Sequence, residues 1–177
     1  MKRLSIIACA LGSLQCTPDP PPNWQSGGAP LFIARAYWER GEHDLIEIRD
    51  NGEVYEDDDL AFVVDKAGRV VNEDYEPKAI MLADGIVVGT DDQPLGRVGL
   101  QNASPPDRHY AWLRIMPNGK VLFYDRDGEE HFGGVWRGCG GPMARTCTYV
   151  THMFVLRTYR SERQSGPSFG IGIGVGL

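Results

Sequence analysis

From residue 31 onward, apolar runs of strand length alternate with short polar segments, and little of the chain keeps a helical period for three turns. Dipeptides that favour tight hairpins stand between the runs, namely Asn51-Gly52, Asp84-Gly85, Asn118-Gly119 and Asp127-Gly128. Glycine accepts a positive φ without steric cost, so these pairs mark chain reversals. The pattern therefore predicts an all-β domain, a single antiparallel meander that forms a barrel or a sandwich.

The apolar runs predict twelve strands, at residues 31–39, 44–49, 54–55, 61–65, 69–71, 79–82, 86–88, 97–100, 110–116, 120–124, 132–136 and 148–159. The last run, TYVTHMFVLRTY, is apolar on both faces at its centre. We therefore expect it to be a central strand that is covered on both sides.

Four glycines in the pattern Gly-x-Val recur at nearly regular intervals. Gly52, Gly68, Gly85 and Gly119 are separated by 16, 17 and 34 residues, and the last interval is twice seventeen. Such a period fits a repeated β-hairpin, although a meander without repeats also places its turns at similar intervals.

Residues 62–88 resemble one WG repeat. The matching positions are Asp65, Gly68, Val71, Tyr75, Asp84 and Gly85, and the Trp-Gly pair that names the family is absent. The resemblance implies a repeated hairpin in this stretch.

The start of the chain, MKRLSIIACALGSLQC, has the pattern of an export leader. Lys2 and Arg3 precede an apolar stretch at residues 4–14, and Cys16 follows. The segment resembles the leader of a bacterial lipoprotein, with Gln15 standing where that family has a small residue. The resemblance implies that the chain is cut before Cys16 and that the Cys16 thiol is lipidated. The protein would then be anchored to a membrane of the bacterial cell envelope, facing the periplasm or the cell exterior.

Two other interpretations of the leader stay open. Cys9, in IIAC, has a small residue before it, but only eight residues precede it. Cleavage after Gly12 would leave Cys16 as an ordinary thiol.

Prolines follow Cys16 closely, at Pro18, Pro20, Pro21 and Pro22. They cannot continue a helix and favour an extended chain, which predicts a stiff spacer between the lipid and a domain that becomes ordered near Pro30. The expected organisation is a signal peptide at 1–15, a lipidated cysteine with a Pro/Gly-rich tether at 16–29, a β domain at 30–164 and a tail at 165–177.

The tail ends in SFGIGIGVGL, in which apolar residues alternate with glycine. This alternation predicts one of two things: a last strand that closes the sheet, or a segment that contacts an envelope protein partner.

Composition limits the classes of protein further. The chain has 177 residues, of which 42% are hydrophobic and 24% charged, as expected for one globular domain with its own core. The formal net charge is −6, and lysine and arginine form no basic run. We therefore expect no nucleic-acid partner.

The segment DRDGEEH gathers metal-ligand groups around a tight turn, namely Asp125, Asp127, Glu129 and His131. A cation could bind there, because carboxylate oxygens and an imidazole are suitable ligands. The alternative is a solvated hairpin turn.

Cys139 and Cys147 close a segment rich in glycine and proline, GCGGPMARTC. In an exported chain such a pair favours a disulfide. A redox or metal pair is the alternative, although the C-x-x-C spacing is missing.

No residue is assigned a catalytic role and no cofactor is expected, because the chain has no nucleophile elbow and no glycine-rich phosphate loop. We therefore expect a cell-envelope lipoprotein with a binding or structural role. One alternative is an envelope hydrolase whose carboxylates and histidines converge in the fold. Another is an accessory component that docks on an outer-membrane assembly.

Overall fold

A computed structural model describes residues 18–42, 44–106 and 108–164, with side chains up to Arg157. The described chain forms a closed, antiparallel barrel of twelve strands followed by one α-helix. The strands are β1 (Ala36–Glu39), β2 (Leu45–Ile48), β3 (Glu53–Glu56), β4 (Asp59–Val64), β5 (Arg69–Val71), β6 (Pro77–Met81), β7 (Ile86–Gly89), β8 (Pro94–Val98), β9 (Asn102–Ser104), β10 (Leu113–Ile115), β11 (Lys120–Tyr124) and β12 (Glu130–Arg137). The predicted all-β meander is confirmed, in its barrel form.

Each strand pairs with its neighbours in sequence, and β1 pairs with β12 to close the barrel. At this seam Trp38 lies opposite Trp136, and their rings are stacked with centroids 5.7 Å apart. Across the outer face of the seam, Arg137 donates two hydrogen bonds to Glu39, of 2.7 and 3.0 Å. Closure leaves no free sheet edge in the described barrel.

The meander places its connections alternately at the two ends of the barrel. The first end, which we call the glycine end, carries the connections β2–β3, β4–β5, β6–β7, β8–β9 and β10–β11. The second, which we call the acidic end, carries β1–β2, β3–β4, β5–β6, β7–β8, β9–β10 and β11–β12.

Each glycine of the Gly-x-Val pattern makes the same pair of backbone hydrogen bonds at the glycine end. Gly52 donates its N–H to Arg49 O (2.9 Å) and accepts from Val64 N–H (2.8 Å) in the following hairpin. Gly68, Gly85 and Gly119 make the same pair of backbone contacts in their own hairpins. Gly52 has φ +89°, and a Cβ on it would lie 2.0 Å from Val64 O, so no side chain fits. The interval near seventeen residues is thus the length of one hairpin step around the barrel.

The helix α1 (Ala144–Gln164) lies inside the barrel. Its side chains contact three strands, β4, β8 and β12, that are evenly spaced around the barrel. Phe154 packs on Phe62 of β4, with ring centroids 5.4 Å apart. The other two contacts are hydrogen bonds, from His152 to Leu95 O of β8 (2.9 Å) and from Trp136 of β12 to Thr151 (2.9 Å). Seven consecutive residues, 146–152, are buried, which requires the sheet to surround the helix.

The predicted strand at 148–159 is therefore wrong, because this segment is the middle of α1. The helix enters at the glycine end, where Thr146 donates to Phe32 O (2.7 Å) and Thr148 to Leu100 O (2.9 Å). It leaves at the acidic end, where Arg157 donates to Glu56 (3.3 Å). In the described part of the chain, no helix is long and apolar enough to cross a bilayer.

Residues 19–35, which we call the strap, run along the outside of the barrel and then across its glycine end. Asp19 and Asp91 exchange hydrogen bonds at the acidic end, with Asp19 N–H donating to Asp91 Oδ1 (2.9 Å). At the glycine end, Ala29 N–H donates to Met81 O (2.7 Å), and Ala29 is fully buried. The sequence predicts a free tether at 16–29, whereas the described part of that segment contacts the barrel from Asp19 onward.

Candidate functional site

The interior of the barrel, where a wide β-barrel often holds a ligand, is filled by α1. The helix surface in this space is polar at several positions, and several of its polar side chains are hydrogen-bonded to the barrel wall. Trp136 Nε1 donates to Thr151 Oγ1 (2.9 Å), and Tyr149 Oη donates to Gly68 O (3.4 Å). Burial raises the pKa of Tyr149, and the nearby Asp65 carboxylate raises it further. These contacts position the helix against the barrel wall.

His152 is the one ionisable imidazole that the described chain buries completely. Its Nδ1 accepts a hydrogen bond from Trp112 Nε1 (3.1 Å), so its Nε2 carries the proton and donates to Leu95 O (2.9 Å). Burial lowers the pKa of His152 to about 4, against a smaller upward effect of the Leu95 carbonyl. The imidazole is therefore neutral near pH 7, and both of its nitrogens are used in holding the helix.

Gly96, on β8, allows the helix to come this close to the wall. Gly96 has φ +114°, and a Cβ there would lie 2.2 Å from Ser104 O and 2.9 Å from His152 Cε1. Only glycine fits the position without moving the neighbouring strand or the imidazole.

Cys139 and Cys147 are joined in a disulfide, with Cα atoms 5.9 Å apart, as predicted. Cys139 follows β12, and Cys147 lies in the first turns of α1. The bond therefore ties the end of the closing strand to the start of the internal helix, where the helix enters the barrel. Cys147 is fully buried.

The predicted cation site lies on the β11–β12 turn at the acidic end. Asp125, Glu129 and His131 come together, with one ligand atom from each within 4.8 Å of the others. His131 Nε2 lies 3.3 Å from Asp125 Oδ2. Asp127 donates its backbone N–H to Asp125 Oδ1 (2.9 Å) and does not belong to the ligand group.

The position of Asp125 is explained by the turn itself. Its Oδ1 also accepts from Glu129 N–H (2.9 Å), and this hydrogen bond is the main reason that the pKa of Asp125 is lowered, followed by His131. Asp65 accepts from Ala67 and Arg69 in the same way at the β4–β5 turn. The acidic residues of DRDGEEH thus form a hairpin turn of a kind that the barrel uses elsewhere.

Shallow depressions on the outer surface of the described chain include two that are lined by polar side chains. One, of about 400 Å³, is lined by Asn102, Ala111, Arg114 and Tyr124. The other, of about 360 Å³, is lined by Glu39, Gly41, Glu42, Asp44 and Leu45 at the acidic end. Neither includes Asp125, Glu129 or His131.

Sequence reasoning missed the residues that hold the helix, above all Thr151, His152, Trp112 and Trp136. The sequence does carry one signal, a histidine and threonines within an apolar run. Buried polar side chains need hydrogen-bond partners, so this pattern indicates contacts with other parts of the fold. The sequence could not show which strands supply those partners. Cys16 and residues 165–177 lie outside the described residues.

The comparisons with known proteins assign no family. No family model, no curated protein and no solved structure matches the chain.

Proposed function

We propose that the protein is a cell-envelope lipoprotein with a binding or structural role, anchored through Cys16. The observation that supports the non-enzymatic role is the filled lumen. A concave cavity with convergent polar groups is the usual setting of an active site, and α1 occupies the space in which this barrel could have formed one. Residues 146–152 are buried against the wall on all sides.

The hydrolase alternative has little support from the remaining surface. Two of the three carboxylates that line the depression at the acidic end are paired, Glu39 with Arg137 at 2.7 Å and Asp44 with Arg40 at 2.7 Å. The hydrogen bond from Arg137 lowers the pKa of Glu39, which makes this carboxylate poorly suited to act as a general acid. His131 is exposed and Asp125 is half-buried on the β11–β12 turn, and neither lines the two depressions.

The anchor is supported by the leader and by the position of the strap. Cys16 precedes Asp19 by three residues, so at most about 10 Å of chain separates it from the acidic end. A lipid on Cys16 would hold that end of the barrel close to the membrane surface.

Fatty-acid labelling with cysteine variants tests the anchor. We expect the exported protein to be labelled and to sediment with membranes, Cys16→Ala to lose both properties, and Cys9→Ala to keep them. Cys139 and Cys147 cannot accept the acyl group while they are joined in the disulfide, so residual labelling through them is not expected. Equal labelling of the Cys16→Ala and Cys9→Ala variants would refute the lipid anchor on Cys16.

A further inference from the structure

One row of side chains on the outer face of the barrel crosses four neighbouring strands. Arg114 of β10 lies opposite Asn102 of β9 and opposite Leu122 of β11. Leu122 in turn lies opposite Phe132 of β12. Arg114 and Phe132 are exposed, so the row faces away from α1. Side chains two residues apart on a strand share a face, which places Tyr124 beside Leu122 on the same surface.

The depression of about 400 Å³ lies on this outer face, across β9, β10 and β11. Asn102, Ala111, Arg114 and Tyr124 line it. The side-chain amide of Asn102 and the hydroxyl of Tyr124 make no hydrogen bond with the described part of the chain. Ligand sites combine apolar surface with a few convergent polar groups, and this depression has both.

Arg114 differs from the other arginines on the described strands because it has no carboxylate partner there. The other three are paired, Arg69 with Asp65 at 2.6 Å, Arg97 with Asp84 at 3.8 Å and Arg137 with Glu39 at 2.7 Å. The whole chain has 24 acidic residues against 18 lysines and arginines. A guanidinium that the fold leaves unpaired among so many carboxylates is available to an anion from outside.

The acidic side chains next to the depression have partners of their own. Glu130 lies opposite Tyr124, and its carboxylate is 4.0 Å from the Lys120 ammonium. Asp125 follows Tyr124 in the chain and accepts hydrogen bonds within the β11–β12 turn. These pairings offset the negative charge beside the depression, so Arg114 can attract an anionic ligand.

Apolar surface surrounds the guanidinium. Leu122 belongs to the outward row and yet is only 5% exposed, because its neighbours cover it. The Tyr124 ring and the Ala111 methyl group form part of the lining. An inorganic anion would contact Arg114 and leave this apolar surface in water, whereas an anion attached to a ring would cover it.

We propose that the depression binds an organic carboxylate, with the carboxylate group on Arg114 and an attached ring against Tyr124. A guanidinium presents parallel N–H groups that match the two oxygens of a carboxylate. Aromatic side chains pack favourably against other rings. This inference names a ligand class and rests on the binding role in the proposed function, but it does not depend on the lipid anchor.

Titration with benzoate, followed by nuclear magnetic resonance, tests the site. The sample is the full chain with Cys16→Ala, which cannot be acylated at that position. We expect saturable shifts of the Arg114 Nε–H and Asn102 side-chain amide signals. The dissociation constant should be about 1–10 mM, as expected for a ligand of about nine non-hydrogen atoms.

Two further ligands separate the carboxylate from the ring. Acetate has the charge without the ring, and benzamide has the ring without the charge. We expect each to bind roughly fivefold more weakly than benzoate, because an exposed ion pair and a ring contact each contribute about 1 kcal/mol.

Matched arginine variants test the position of the carboxylate. Arg114→Gln should weaken benzoate binding roughly fivefold, and Arg114→Lys should restore only part of it because lysine lacks the planar fork. Arg126→Gln is the control, since Arg126 is also exposed and has no carboxylate partner in the described chain. This control variant should bind benzoate as the parent chain does.

Tyrosine variants test the ring contact. Tyr124→Leu should weaken benzoate binding by roughly two- to tenfold, and Tyr124→Phe should keep the ring contact. Matching far-UV circular dichroism spectra and unfolding midpoints establish that the barrel is intact in every variant.

Each contrary outcome overturns a defined part. No saturable shift at about 100 mM benzoate, or an equal loss in Arg114→Gln and Arg126→Gln, refutes the site. Benzamide binding as tightly as benzoate refutes the carboxylate contact, and acetate binding as tightly refutes the ring contact. Fatty-acid labelling of Cys16 is measured separately, so failure of the anchor and failure of this site can be told apart.

Discussion

His152 is a titratable side chain that the fold keeps neutral. Its Nδ1 accepts the indole N–H of Trp112, and its Nε2 donates to Leu95 O. A second proton would have to be placed on Nδ1, where it would face another donor inside the barrel. Protonation of His152 would therefore remove a hydrogen bond that holds α1 against the barrel wall.

Stability should consequently fall in mild acid. The pKa of His152 is lowered from 6.5 to about 4, so between these values the unfolded chain binds a proton that the native protein does not. The stability that the protein gains by keeping His152 neutral is complete above about pH 6.5 and is lost as the pH falls from there to about 4. Over this range the free energy of unfolding falls by about 3 kcal/mol. Urea unfolding at a series of pH values measures this slope.

His152→Gln provides the control. Glutamine offers an acceptor and a donor without titrating, so the variant should be less stable near neutral pH and should show a smaller slope between pH 4 and 6.5. Asp125 and Glu39, whose pKa values are lowered, titrate in both proteins and cancel in the difference. An unchanged slope in the variant would exclude His152 as the source.

At the scale of elements, most strands could be predicted and the helix could not. Eleven of the predicted strands overlap observed ones, because hairpin dipeptides mark their ends locally. Strand β9 has the sequence NAS, which is too short and polar to show a strand pattern. Residues 148–159 have no amphipathic period, since a helix inside a closed sheet has no face toward solvent. Thr148, Val150 and Thr151 also favour strands by propensity.

The strap was missed for a related reason. Prolines favour an extended chain, and the sequence cannot show whether that chain is solvated or lies on a surface. Here the partner is distant in sequence, because Ile80 on β6 is fully buried and lies 3.0 Å from the position of a Cβ on Gly28. The disulfide and the β11–β12 turn could be predicted, since cysteine parity and neighbouring turn residues are local information.

The disulfide should stabilise the start of α1. It closes a segment with a sequence separation of 8 residues, for which the chain-entropy relation gives about 2 to 3 kcal/mol. Cys139→Ala/Cys147→Ala should lower the free energy of unfolding by that amount and leave the far-UV spectrum unchanged, because the barrel has its own core. Guanidinium unfolding of both proteins measures the difference, and an equal midpoint would show that the bond contributes nothing.

At the scale of the whole molecule, the barrel and the helix form one cooperative unit. The core combines residues from the strap, the strands and the helix, including Leu31, Trp38 and Tyr149. The amides of residues 146–152 can meet solvent only after the surrounding sheet opens. Native-state hydrogen exchange should therefore place them among the slowest, with opening free energies equal to that of global unfolding. Faster exchange there than in β5 and β6 would mean that the helix leaves an intact barrel.

The position of α1 also orders the events of folding along the chain. The first strand must bond to the last, since Trp38 pairs with Trp136, and the segment that fills the space between them is made after both. A nascent chain that ends at β12 has every strand but nothing to pack its inner face. Such long-range pairing folds slowly. The sheet therefore has to close around α1 after that segment has emerged from the ribosome, and synthesis of all twelve strands and of α1 precedes the first stable fold of the barrel.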